Sequence, residues 1–148
     1  MPKCYIWRMG RFQLSYSLID GDFAVCHLPS DSSVPAWAMR GDFWNVIQTK
    51  DELSVICLQD QVPKEVLVQK GWACFRWYGG CDLGNTGLMA ALSLLFAEGG
   101  VHLISVASFG SEFFLIRGPE REKAVNVLNR SGEAHQRGAE SGARFIRK

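Results

Sequence analysis

Residues 79–87, GGCDLGNTG, set Gly79, Gly80, Gly84 and Gly87 around Asp82, Asn85 and Thr86, just ahead of an apolar stretch. Glycine lets the main chain approach a bound group where a Cβ would stand in the way. A helix start offers unpaired N–H groups and a partial positive charge. The combination suits a carboxylate, each hydrogen bond to an ionised group contributing about 1.5 to 3 kcal/mol. The same glycines also suit a plain tight turn from strand to helix, and both readings stay open at this level. A nucleotide phosphate fits poorly, because neither G-x-x-x-x-G-K-[ST] nor G-x-G-x-x-G occurs. Cys81 stands near the helix start, which favours a thiolate, but no recognisable base accompanies it. His27, His102 and His135 stand at no metal-ligand spacing. No metal and no cofactor is expected.

The elements that must position this turn follow from periodicity. WACFRWYG, residues 72–79, alternates as a strand, with Trp72, Cys74, Arg76 and Tyr78 opposite Ala73, Phe75 and Trp77. From Gly87 onward Leu88, Ala91, Leu92, Leu95 and Phe96 recur at helical spacing, and Gly99 and Gly100 supply a stop. VHLISVASF and FFLIRG read as strands around GSE. PEREKAVNVLNRSG reads as a helix opened by Pro119 and acids and ended by Gly132. Upstream, FQLSYSLI and DFAVCHLP read as strands, PAWAMRG as a helical turn or irregular link, and FWNVIQT with LSVICLQ as a hairpin around KDE. Trp37, Trp44, Trp72 and Trp77 are expected in the core.

The chain of elements is β-α-β-β-α over 71–132, with a weaker copy before it, the pattern of a ferredoxin-like repeat. The expected fold is α+β: two ferredoxin-like βαββαβ units packed side by side with antiparallel sheets. The expected units are 12–70 and 71–132, followed by a flexible tail over 133–148. EAHQRGAESGA offers no closing strand for the second unit, and FQLSYSLI is the natural donor.

Composition narrows the partners. With 148 residues, 47% apolar and 21% charged, one ordinary domain or two very small ones sharing a core can form. A net charge of +1 without a compact Lys/Arg run gives no surface for nucleic acid. No segment approaches the roughly 20 apolar residues that cross a bilayer. Lys3, Arg8 and Arg11 weakly imitate a presequence, but Pro2 and the strand-like FQLSYSLI oppose an amphipathic helix. The cytoplasm is the expected location. Five cysteines with no C-x-x-C pair read as buried thiols.

PAWAMRGDFWNVIQTKDELSVIC, the run GWACFRWYGGCDLGNTGLMAALSLLFAEGG and the hairpin ISVASFGSE together resemble the small tandem ACT-domain proteins, related to CASTOR-type arginine sensors. The similarity spans roughly residues 20 to 130. It implies ACT-type units that bind amino acids or similar effectors at interfaces between paired units and signal through assembly. Carried over by position, it points to Asp82, Leu83, Gly84, Asn85, Thr86 and Gly87 in the turn and to Ser108, Phe109 and Glu112 in the hairpin. It also points to His102 and Leu103 on the facing strand of a partner. Cys81, Gly84, Asn85, Ala107, Ser111 and Glu112 depart from the family pattern. Glu in place of the family's Asp moves the carboxylate by about 1.5 Å, so ligand identity does not transfer.

The function expected from this resemblance is a regulatory module for a small zwitterion, an amino acid or similar. Main-chain donors would take its carboxylate and Glu112 its cationic group, in a homodimer that adjusts a protein partner. Two other readings stay open. In one, a small biosynthetic enzyme uses the same cleft, with Glu112 as acid or base and His102 or Cys81 assisting. In the other, an interaction protein pairs its sheet edges and leaves the cleft empty.

Overall fold

The computed structural model describes residues 4–9, 12–78, 87–131 and 135–137. The chain divides into two compact units, a larger one formed by Met1–Leu18 with Cys74–Lys148 and a smaller one formed by Ile19–Ala73. Their borders differ from the expected one at 70/71 because β2 (Phe12–Leu28) and β5 (Leu67–Tyr78) each contribute to both units. FQLSYSLI and DFAVCHLP, expected as separate strands, are one strand. The chain bends at Gly21, whose φ of 96° a side chain would resist.

In the smaller unit β3 (Asn45–Gln48) and β4 (Leu53–Leu58) form the expected hairpin, with Gln48 opposite Leu53. The turn is closed by the Thr49 N–H donating to the Glu52 carbonyl at 2.9 Å, and Thr49 Oγ1 accepts from the Asp51 and Glu52 amides. β4 pairs antiparallel with β2, Ala24 opposite Cys57 and Cys26 opposite Val55. Alternation therefore sends Ala24, Cys26, Leu53, Val55 and Cys57 to one face, where they pack with Ala38 and Val62. Strand order here is β3-β4-β2-β5. Single 3-10 turns, Ala36–Ala38 and Gln59–Gln61, stand where a ferredoxin-like unit carries helices.

The larger unit carries the full helices. α1 (Leu88–Glu98) follows β5, then β6 (Leu103–Ala107), β7 (Glu112–Arg117) and α2 (Arg121–Ser131), with strand order β2-β5-β7-β6. α1 ends as its sequence requires: the Val101 amide donates to Phe96 O and the Gly100 amide to Ala97 O, each at 2.9 Å. Gly100 adopts a φ of 64°, and Val101 and Phe96 are both buried. These are the paired bonds and apolar contact of a Schellman stop. Phe114 lies at the centre of the core, its ring 5.5 Å from Trp77 and 6.1 Å, edge-on, from Phe96, while Tyr16 stacks 4.9 Å from Trp77. A 3-10 turn, Gly118–Glu120, with Pro119 as its second residue, leads into α2.

Two expectations are corrected. Trp44 is 42% exposed at the entry to β3 instead of buried, whereas Trp72 and Trp77 are buried. Within the expected tail, His135–Arg137 forms a short strand, β8, paired antiparallel with β1 (Cys4–Met9), which itself pairs with β2. Among the described residues this edge of β1 has no other partner, and it gives the polar segment a ladder to join. Cys26, Cys57 and Cys74 are free and buried. Burial pushes the Cys74 thiol up to about 12. Among the described residues, no helix is long and apolar enough to cross a membrane.

Candidate functional site

The β6–β7 hairpin is closed by its own serines. The Ser108 amide donates to Ser111 O at 2.8 Å and Ser108 Oγ donates to the same carbonyl at 3.0 Å, with Ala107 opposite Glu112. This closure leaves Phe109 projecting at the tip, 90% exposed. Glu112 begins β7 and is partly buried. Two-residue periodicity puts it on the face of Phe114, the face on which α1 packs through Phe96. Desolvation raises its carboxyl above the ordinary carboxylate value. Among the described residues it has no ion-pair or hydrogen-bond partner.

Gly87 caps α1 with a φ of 90°, a left-handed conformation that favours glycine, and its carbonyl accepts the first helical bond from the Ala91 amide at 3.0 Å. Among the described residues no side chain caps the first turn, whose leading amides have no partner within the helix itself. Asp82, Leu83, Gly84, Asn85 and Thr86 lie outside the described residues.

Two lengths bring Gly87 level with Glu112. The tight stop at Gly100 reverses the chain directly from α1 into β6. An eleven-residue helix rises roughly 16 Å and a five-residue strand roughly 17 Å. The start of α1 and the tip of the hairpin therefore share one end of the unit. His102 and Leu103 belong to the other end of β6, so within one chain they do not meet Gly87, Ser108, Phe109 and Glu112.

His102 precedes β6 and has an anchor of its own. Its amide donates to Glu120 Oε2 at 2.8 Å and its Nδ1 lies 2.7 Å from Glu120 Oε1. The backbone bond, more than the ring, holds the Glu120 carboxyl below the ordinary value. Ionised Glu120 can only accept, which assigns the shared proton to His102 Nδ1 and leaves Nε2 on a ring that is 77% exposed. A carboxyl lowered by folding stabilises the fold above its unfolded value, and that stability is lost as pH falls through the folded value. Glu120→Gln should melt up to about 4 °C below the wild type at pH 7, for the ~1 kcal/mol that exposed pairs reach at most. The gap should close as pH falls through the folded value. Melting curves across this range check it.

A second grouping joins His27, Glu52 and Ser54 but does not make a nucleophile. Glu52 accepts both from His27 Nδ1, at 3.0 Å, and from Ser54 Oγ, at 2.8 Å, so the hydroxyl faces the acid and not the base.

The expected site did not include Arg76. Its Nε and Nη2 donate to Ser111 Oγ at 3.3 and 3.2 Å, and its guanidinium carbon lies 4.6 Å from the Tyr78 ring centroid and 5.6 Å from that of Phe113. Strand alternation had placed Arg76 beside Tyr78, and Ser111 was among the departures from the ACT pattern. Their meeting depends on how β5 and β7 align, which local sequence does not reveal.

A family model for an N-terminal domain matches residues 21–65. No curated protein matches the chain. Among solved structures, the Agobacterium tumefaciens protein Atu0741 is 30% identical, with a TM-score of 0.72, over 78% of this chain and 86% of that one. A Vibrio cholerae protein of unknown function, described as a possible transport protein, is 14% identical with a TM-score of 0.65, over 80% and 89% of the two chains. The ligand-free regulatory subunit of aspartate kinase from Thermus thermophilus is 11% identical with a TM-score of 0.55, over 76% and 93%. The fold is α+β, with two ferredoxin-like units of ACT type.

Proposed function

This chain belongs to the protein family of Atu0741 from Agobacterium tumefaciens, and we propose that it is a regulatory module that binds a small zwitterion, an amino acid or a close analogue. The observation that carries this reading is Glu112. A partly buried carboxylate without a partner among the described residues is costly to keep, and it stands at the same end of the unit as the start of α1, which no described side chain caps. An ammonium group would meet the carboxylate, and the amides leading into α1 would meet the ligand's carboxylate. An amino acid carries both charges a few ångströms apart.

The ACT-type fold and the likeness to a regulatory subunit support a signalling role over a catalytic one. Two copies of the chain pair, so that the turn and hairpin of one hold the ligand against His102 and Leu103 of the other. On this reading the protein works as the small tandem ACT proteins related to CASTOR-type sensors do. It works in the cytoplasm, and ligand adjusts assembly or a protein partner by binding one state better than another. The ring of His102, anchored through Nδ1 and 77% exposed, supports this reading because it is accessible to a second copy.

A scan of free amino acids at millimolar concentration tests the reading. A specific ligand at a hundred times its Kd adds about 2.7 kcal/mol, which at roughly 2–4 °C per kcal/mol raises the melting temperature by about 5 to 11 °C. One amino acid or a narrow group should give this rise, and a flat response across the whole set would sink the proposal.

The raised carboxyl of Glu112 also favours a second reading, acid–base catalysis in the same cleft. Within one chain His102 is held by Glu120 at the other end of β6, so an enzyme would need its assisting group from the partner copy or from Cys81, outside the described residues. Catalysis would appear as turnover that Glu112→Gln abolishes while ligand still binds.

A further inference from the structure

We propose that Arg76 anchors a second, separate binding site on the face of the larger unit's sheet turned away from α1, and that it takes the carboxylate of a small organic acid. Phe75 and Trp77 face the α1 core, so alternation turns Arg76 and Tyr78 to the opposite side, where Ser111 and Phe113 of the hairpin strand meet them.

Four observations define the site. Arg76 is partly buried and has no carboxylate partner among the described residues. A guanidinium withdrawn from water without a counter-charge is unfavourable, and the ordinary remedy is an anion. Nε and Nη2 converge on one neutral oxygen, Ser111 Oγ, in a residue only 3% exposed. Of the five N–H donors of an arginine, both on Nη1 and one on Nη2 have no acceptor among the described residues, and these form an edge that matches a carboxylate bidentately.

The rings of Tyr78 and Phe113 lie against the guanidinium and restrict its plane, so the free edge is fixed before ligand arrives. Beside it Tyr78 Oη and Ser17 Oγ share a hydrogen bond of 3.1 Å, which adds hydroxyls on the neighbouring strand. One cation with neutral hydroxyls suits a planar monoanion better than a phosphate dianion, which calls for more positive charge. The site needs no part of the turn or of Glu112, which lies on the other face.

Nuclear magnetic resonance of the full chain tests this, with sodium propionate as the probe and sodium chloride at equal ionic strength as the control. The Arg76 Nε–Hε resonance should shift saturably with propionate and hardly at all with chloride. Arg76→Lys keeps the charge and loses the fork. It should weaken binding at least tenfold, read at the Ser111 amide, and Glu112→Gln should leave it unchanged. Equal shifts with chloride would show general screening and overturn the proposal. Inorganic phosphate saturating at lower concentration than propionate would overturn the carboxylate class. Undiminished binding in Arg76→Lys, or its loss in Glu112→Gln, would overturn the assignment to Arg76 as a separate site. Should Arg76→Lys fail to fold, the wild-type titrations with the three salts still decide.

Discussion

Phe114→Ala should lower the melting temperature by about 6 to 20 °C. The ring is fully buried and touches Trp77 of β5 and Phe96 of α1, so it links the sheet to the helix whose start forms one side of the proposed site. Truncating a buried Phe to Ala costs about 3 to 5 kcal/mol, from lost burial and the cavity left behind. Each kcal/mol corresponds to roughly 2–4 °C for a chain of this size. Against a total stability of about 5 to 15 kcal/mol, this is a large share. Phe114→Leu, which keeps most of the volume, should lose well under half as much. Thermal denaturation followed by circular dichroism measures both, and a drop below about 3 °C for Phe114→Ala would mean that the aromatic cluster is not the core of the unit.

Glu112→Gln should separate binding from stability. It should weaken amino-acid binding about 10- to 100-fold, the equivalent of the ~1.5–3 kcal/mol of a hydrogen bond to a charged group. The same change should leave the ligand-free protein slightly more stable at pH 7. A carboxyl raised by folding adds stability below its unfolded value and loses it as pH rises through the folded value. At neutral pH the ionised group is therefore a burden that the neutral amide removes. Calorimetric titration and melting curves at pH 7 and pH 4 check both parts. Weaker binding with a lower ligand-free melting temperature would show Glu112 to be structural.

Much of this arrangement was legible in the chain. The hairpin about Thr49–Glu52 and the stop at Gly100 are local, and turn and helix chemistry act over a few residues, so they can be read from those residues. Phe75 and Trp77 fell on one face because strand alternation has period two. The continuity of β2 and β5 is hidden for the opposite reason. Gly21 and Gly71 look like punctuation, yet each sits with positive φ inside a continuing strand, where it bends the chain without ending it. β8 escaped notice because HQR has no strand preference of its own and is recruited by β1 from far along the chain.

The candidate site was legible in part. Glu112 came from likeness to the ACT proteins, but its lack of a partner became visible only with burial and neighbours in place. Arg76 looked like one polar residue in an alternating strand, and its convergence on Ser111 arises from strand alignment across 35 positions of sequence. His102 was expected beside a ligand, while its bond to Glu120 depends on where the turn before α2 arrives.

A crystal structure of the protein grown with the amino acid that raises the melting temperature most would locate the ligand. Density is expected at the hairpin end of the larger unit, with the ligand's ammonium within about 3 Å of a Glu112 carboxylate oxygen and its carboxylate against the amides entering α1. Ligand bound elsewhere, or a Glu112 carboxylate paired with the protein's own cation in the complex, would contradict it.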